Sequence, residues 1–165
     1  MQSIKIQEYS DDYKDQVIDV ILNIQTVEFG HINSITLADQ PDLLKIPSFY
    51  QTRNGNFWVA MDENNTIVGT IALIDIGNQQ VALRKMFVNK DYRGKDCGIS
   101  TQLLNTAIDW CKLKQVEQIF LGTTPFFLAA HKFYAKNNFS EISKSELPPA
   151  FPIMGLDTKF YTYIL

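Results

Sequence analysis

Between Asn56 and Val88 the chain offers three consecutive β-rich runs with turn chemistry between them, and beyond them the apolar period changes. Residues 56–61 are apolar and aromatic, Asp62-Glu63-Asn64-Asn65 is a polar turn, and residues 66–76 are strongly β-branched. Gly77-Asn78 is a second turn signal, and residues 80–88 complete a meander of three antiparallel strands. Ile99, Leu103, Leu104, Ala107, Ile108 and Cys111 then recur at helical spacing and give one apolar stripe. Residues 118–122 read as a short buried strand, 126–137 as a second amphipathic helix, and 139–143 and 157–165 as closing strands. Pro148, Pro149 and Pro152 mark the long connection between those two. Ahead of the meander, Ile4, Ile6 and Glu8 begin a short strand. Asp11 and Asp12 offer N-cap chemistry to a helix carrying Val17, Ile18, Val20, Ile21 and Ile24. Residues 26–48 read as loops or short helices, with Asp39 and Asp42 near a helix start. This order is α/β with a mixed sheet, in which the later helices are crossovers beside a partly parallel centre.

A chain of 165 residues without a linker or an internal repeat fits one domain, 1–165. Fifteen basic against 18 acidic residues, net charge -3, argue against nucleic acid as the main partner. Cys97 and Cys111 form neither a disulfide framework nor a Cys/His cluster, so no metal site is expected. The first ten residues lack the apolar centre of a signal peptide, and no run approaches ~18 apolar residues. The expectation is a cytoplasmic protein with no membrane partner.

The chemistry concentrates in Leu83 to Leu104, a strand, a basic glycine-containing loop and a helix start. Between Arg84 and Lys95, five basic residues (Arg84, Lys85, Lys90, Arg93 and Lys95) stand against one acid, Asp91, a local charge of +4 in a chain of -3. A helix N-terminus presents unpaired N–H groups and a positive dipole end, and glycines let backbone approach an anion. Two readings stay open on residues alone: a phosphate or pyrophosphate cradle, or ordinary turn glycines in a solvated basic loop. The spacing is neither that of a P-loop nor of a dinucleotide-binding GxGxxG turn.

Met86-Phe87-Val88 followed by Asp91-Tyr92-Arg93-Gly94-Lys95 resembles the acetyl-CoA motif of the GNAT superfamily of N-acetyltransferases. In that family a strand ending V-x-P-x-Y-R-G-K is followed by Q/R-x-x-G-x-G/A at a helix start. Matching the helix puts Lys95, Gly98 and Ser100 at the three positions of the second element; matching Arg93 instead leaves two extra loop residues. Leu121-Gly122-Thr123-Thr124 resembles the end of the family's fifth strand, and Ala130 to Phe139 its A-x-x-F-Y-x-K-x-G-F helix, with Asn138 at the glycine. The ending from Leu147 is similar to that of a recurrent bacterial branch. The resemblance covers the chain from about Gln80 onward.

The resemblance implies a mixed, mostly antiparallel seven-stranded sheet with helices on both faces and a splayed parallel strand pair at its centre. It implies acetyl-CoA as cosubstrate, no metal, and transfer to the amine of a small molecule or peptide by direct attack; a homodimer is open to it. The implied cofactor-binding residues are Met86, Phe87, Val88, Arg93, Gly94, Lys95, Cys97, Gly98, Ile99, Ser100 and Thr124, with Tyr134 as the catalytic acid. The glutamate that serves as base in many relatives falls at Ala82. Glu28 and His31 are what the N-terminal half offers toward an acceptor amine, Glu28 as the substrate contact. His131 reads as a hydrogen-bonded helix histidine. The rival readings are a non-catalytic acyl-CoA-binding or protein-interaction module on the same fold, and a nucleotide-phosphate enzyme using the basic loop.

Overall fold

The computed structural model describes residues 3–29, 36–93, 98–124, 128–155 and 157–165. The strands are β1 (Lys5–Glu8), β2 (Asn56–Met61), β3 (Ile67–Gly77), β4 (Gln80–Val88), β5 (Gln118–Thr123), β6 (Ser140–Ile142) and β7 (Lys159–Ile164). They form a seven-stranded sheet in the order β1-β2-β3-β4-β5-β7-β6. Every neighbouring pair is antiparallel except β4 and β5. The helices are α1 (Lys14–Phe29), α2 (Ile46–Phe49), α3 (Ile99–Leu113) and α4 (Leu128–Lys136).

Local chemistry explains most of these boundaries. The β2–β3 turn is held by Asp62 Oδ1, which accepts from the Asn64 and Thr66 N–H groups at 2.9 and 3.0 Å. The β3–β4 hairpin turns through Asn78 and Gln79, with φ of 54° and 60°, the left-handed pair a two-residue hairpin loop requires. Ser10, rather than Asp11 or Asp12, supplies the first cap: its hydroxyl accepts from Asp12 N–H at 3.2 Å at the start of a 3-10 turn leading into α1. Past α4, Asn138 adopts φ 71°, the left-handed C-terminal conformation asparagine tolerates.

Two apolar layers sandwich the sheet. On one face α3 buries Ile99, Leu103, Leu104, Ala107, Ile108 and Cys111 against Val68, Ile71, Leu73, Val81 and Leu83, with Tyr134 and Phe139 closing the same cluster. Each large apolar side chain so buried stabilises by about 1.5–3 kcal/mol. A Cβ on Gly69 of β3 would meet Phe87 O at 3.1 Å and Leu103 Cδ1 at 3.2 Å, so α3 seats closely because that position is glycine. On the other face α1 and α2 cover Phe57, Val59, Met61 and Ala72 through Val17, Ile21, Ile24, Ile46 and Tyr50. A smaller cluster of Ala82, Phe120, Phe151 and Phe160 completes that face near β7.

Candidate active site

β4 and β5 pair only from Gln80–Gln118 to Ala82–Phe120. Beyond those residues β4 runs on to Val88 and β5 to Thr123 without pairing to each other. The cause lies in β4. Thr70 and Ala72 of β3 face Phe87 and Arg84, so β4 carries one extra residue, and Lys85 there has φ 53°. A β-bulge of this kind bends and over-twists its strand, and here it carries Met86 to Val88 away from β5. Thr70 Oγ1 donates to Lys85 O at 2.6 Å and fixes the bulge from β3.

The Lys85 side chain is buried on the α1/α2 face, where Gln40 and Asp42 meet it. Its Nζ lies 3.6 Å from Asp42 Oδ2 and donates to Gln40 Oε1. Tyr50 Oη donates to the same Asp42 oxygen at 2.5 Å, and Gln25 and Gln40 exchange amide hydrogen bonds at 3.0 and 2.7 Å. Burial pulls the Lys85 ammonium down to about 8, with Asp42 opposing the shift. The basic cluster of the sequence is therefore divided. Arg84 and Lys85 belong to the sheet, and Lys85 is neutralised by a carboxylate 43 residues earlier in the chain, a pairing that local charge counting does not register.

Past the bulge the strand turns its peptide groups into the splay. Asn89 N–H donates to Val68 O on β3 at 2.8 Å, so Val88 faces the other way, where its carbonyl accepts from Arg93 Nε at 2.8 Å. By the alternation of a strand, Met86 faces the splay with Val88, and Phe87 faces β3. Tyr92 Oη donates to Asp62 Oδ2 at 3.0 Å and ties the following segment to the β2–β3 turn. The chain re-enters at Gly98, the N-cap of α3, with φ 61° and no side-chain cap. Gly98 thus leaves the first-turn N–H groups around Ile99 and Ser100 without a cap from its own side chain. Ile99 itself is buried in the core.

α4 brings Tyr134 to the same gap from the α3 face. The ring is buried against Phe139 and Tyr161, and Oη contacts Met86 Sδ at 3.8 Å. Burial, reinforced by Tyr161, raises its pKa far above the ordinary tyrosine value. His131, one turn earlier, has its Nε2 2.7 Å from Thr124 O and anchors the end of β5. Ala82 lies in the Phe120–Phe151–Phe160 cluster with no exposure, so the position that many relatives fill with glutamate is here part of the core. The side chain of Glu28 lies outside the described residues, as do His31, Gly94, Lys95 and Cys97. Among the described residues no group of His, Cys, Asp and Glu could hold a metal ion, and no helix is long and apolar enough to cross a membrane.

A family model, the acetyltransferase (GNAT) family, matches residues 18–139. The chain belongs to that family. The match takes in the bulged β4, the α3 N-terminus, β5 and α4, so the resemblance carried by Met86 to Lys95 and by Ala130 to Phe139 is that of a GNAT acetyltransferase. N-acetylaspartate synthetase of Xenopus tropicalis is 34% identical over 119 residues, which are 70% of this chain and 42% of that protein. The chain thus spans about two fifths of that curated relative's length. An acetyltransferase of the GNAT family from Staphylococcus aureus Mu50 superposes with a TM-score of 0.92 at 41% identity, covering 98% of this chain and 99% of the other. PaiA N-acetyltransferase from Thermoplasma acidophilum, solved in complex with coenzyme A, shares the GNAT fold at a TM-score of 0.76 and 19% identity, over 99% of each chain.

Sequence reasoning missed two features of this site: the bulge at Lys85 and the bond of Lys85 to Asp42. A lysine inside the apolar run LRKMFV was the available signal for the first. Nothing in the local sequence marks the second, since it joins segments far apart in the chain.

Proposed function

We propose that this chain is an acetyl-CoA-dependent N-acetyltransferase, one domain over residues 1–165, that acetylates the amine of a small molecule or peptide by direct attack in a ternary complex. The observation that carries the proposal is the split between β4 and β5 beyond Ala82 and Phe120, with the Tyr134 hydroxyl at its mouth and the uncapped α3 N-terminus at its end. An extended pantetheine arm fits the open side of β4 as an added strand would. Val88 and Met86 would hold it through backbone, and the N–H groups of Gly98, Ile99 and Ser100 would take the pyrophosphate. The Val88 carbonyl accepts from Arg93 here, so we assign Arg93 a part in shaping that edge.

Bound acetyl-CoA would supply an activated thioester, whose carbonyl carbon bonds to the acceptor nitrogen as the C–S bond breaks. The Met86 N–H, turned out by the bulge, is our candidate for polarising the carbonyl oxygen. Tyr134 stays protonated at neutral pH because its pKa is raised by burial, and it would give its proton to the departing sulfur. The attacking nitrogen must lose one proton. Ala82 cannot take it, so a carboxylate at the splay mouth or a water serves. Ala82 is also what favours the alternative, a GNAT fold that binds acyl-CoA without turnover.

Thiol release from acetyl-CoA, followed over a panel of amines, separates the two. Amine-dependent release is expected; saturable acetyl-CoA binding with no release for any amine would select the non-catalytic module.

A further inference from the structure

Two oppositely charged side chains flank the splay on the α2 face, and neither forms an ion pair with any described residue. Arg84 is half-buried on β4. Its Nη2 rests on Met154 Sδ at 3.3 Å and its guanidinium lies 6.0 Å from the Phe49 ring centre. A thioether is a weak acceptor and a ring face is no anion. Asp157, in the connection before β7, is half-buried as well. Its Oδ2 accepts only from Met154 N–H, at 3.2 Å, and Oδ1 has no partner among the described residues. Burial raises its pKa against the pull of Arg84's charge, so the two groups sense each other without touching.

Register puts them at one level. β4 pairs with β5 at Val81–Ile119 and Ala82–Phe120; continued, Arg84 would stand opposite Gly122. Asp157 covers Gly122, where a Cβ would come within 2.6 Å of Oδ2. Phe49 and Met154 form apolar walls beside Arg84. Lys85 and Asp42 neutralise each other, while the Lys45 ammonium shares the Phe49 ring with Arg84, 5.8 Å from the ring centre. Here the acceptor would meet the Arg84 guanidinium and the Asp157 carboxylate across a gap with Phe49 and Met154 beside it, near the bulge where the acetyl group would lie.

We propose that Arg84 and Asp157 are the two poles of an acceptor site for a free amino acid, Arg84 taking its carboxylate and Asp157 its amino group. A bare cationic amine would meet Arg84 unfavourably. An amino acid satisfies both charges at once, and a guanidinium grips a carboxylate through two parallel N–H bonds. This rests on the transferase reading above and narrows its acceptor.

The test compares amino acids with their carboxamides and with the corresponding decarboxylated amines, in kcat/KM and by titration into the protein saturated with coenzyme A. The free acids are expected to win by at least ~10-fold in both measurements. R84M should abolish that preference while binding acetyl-CoA as tightly as the parent, R84K should keep part of it, and D157N should raise KM for acids and amides alike. Equal use of acids and amides by the parent protein overturns the proposal, as does an undiminished preference in R84M. The titration needs no variant, so misfolding of one leaves the test standing. Turnover of carboxylate-free amines alone would sink this site but keep the transferase. Failure to bind acetyl-CoA would remove both.

Discussion

The Tyr134 hydroxyl, buried beside Met86 and Tyr161, is the proton donor proposed for the sulfur leaving within the β4–β5 gap, where burial disfavours a free thiolate as it disfavours a tyrosinate. Replacing Tyr134 by Phe removes that proton and little volume. We expect kcat to fall by about 10²-fold or more with acetyl-CoA affinity nearly unchanged, measured by steady-state kinetics and direct titration; full activity would remove Tyr134 from the acid role. Lys85 poses a different residue-scale question, because its charge is buried and its partner is specific. Lys85→Met would leave Asp42 with Tyr50 but no cation. Breaking a buried pair on one side costs about 3–5 kcal/mol, to be read from the urea midpoint at pH 7. A loss below ~1 kcal/mol would mean that water already reaches the pair.

At the scale of elements, α3 joins fold and site. Its apolar stripe packs on β3 and β4, and its N-terminus is the anion site proposed above, so one helix would serve both core and site. Gly98 begins it in the left-handed region at φ 61°. There a non-glycine residue costs ~1 kcal/mol, and a carboxylate would repel phosphate although it suits the helix dipole. Lys95→Ala combined with Gly98→Asp is expected to weaken acetyl-CoA binding at least ~10-fold while leaving the circular dichroism of the protein unchanged. An unaltered Kd in the folded double variant would contradict the phosphate role of this terminus. The meander, α3 and α4 were legible in the sequence because each carries its own period and turn residues: Asn56, Met61, Gln80 and Val88 bound strands where the pattern put them. The bulge was not, because its cause is a single φ at Lys85 and a bond from Thr70, neither of which shows in hydrophobic alternation.

Across the whole molecule, burial shifts several ionisable groups and makes stability depend on pH in a testable way. Cys111, on the buried face of α3, has its thiol pushed by burial from 9.0 up to about 12. A group raised in the folded state contributes stability that is complete below pH 9 and is lost as pH climbs toward 12. Lys85 acts in the opposite sense: between about 8 and 10.5 the unfolded chain holds a proton the folded chain has released, so its contribution rises. Urea titrations from pH 8 to 10.5 should therefore show Cys111→Ala less stable than the parent at pH 8, with the gap narrowing above pH 9. A constant gap would mean the thiol is not shielded from water. Long-range pairing is also what kept the proposed acceptor side out of the sequence reading. Asp157 reaches Gly122 and Asp42 reaches Lys85 only once the sheet has ordered β5 beside both β4 and β7. The proposed cosubstrate side was legible because its motif is local, running from Met86 through Gly98. The central claim is that this splayed sheet holds acetyl-CoA, and calorimetric titration with acetyl-CoA, with ATP as control, tests it most directly. Micromolar binding, about -8 kcal/mol, is expected for acetyl-CoA and none for ATP; absence of acetyl-CoA binding, or equal binding of ATP, would contradict the acetyl-CoA site.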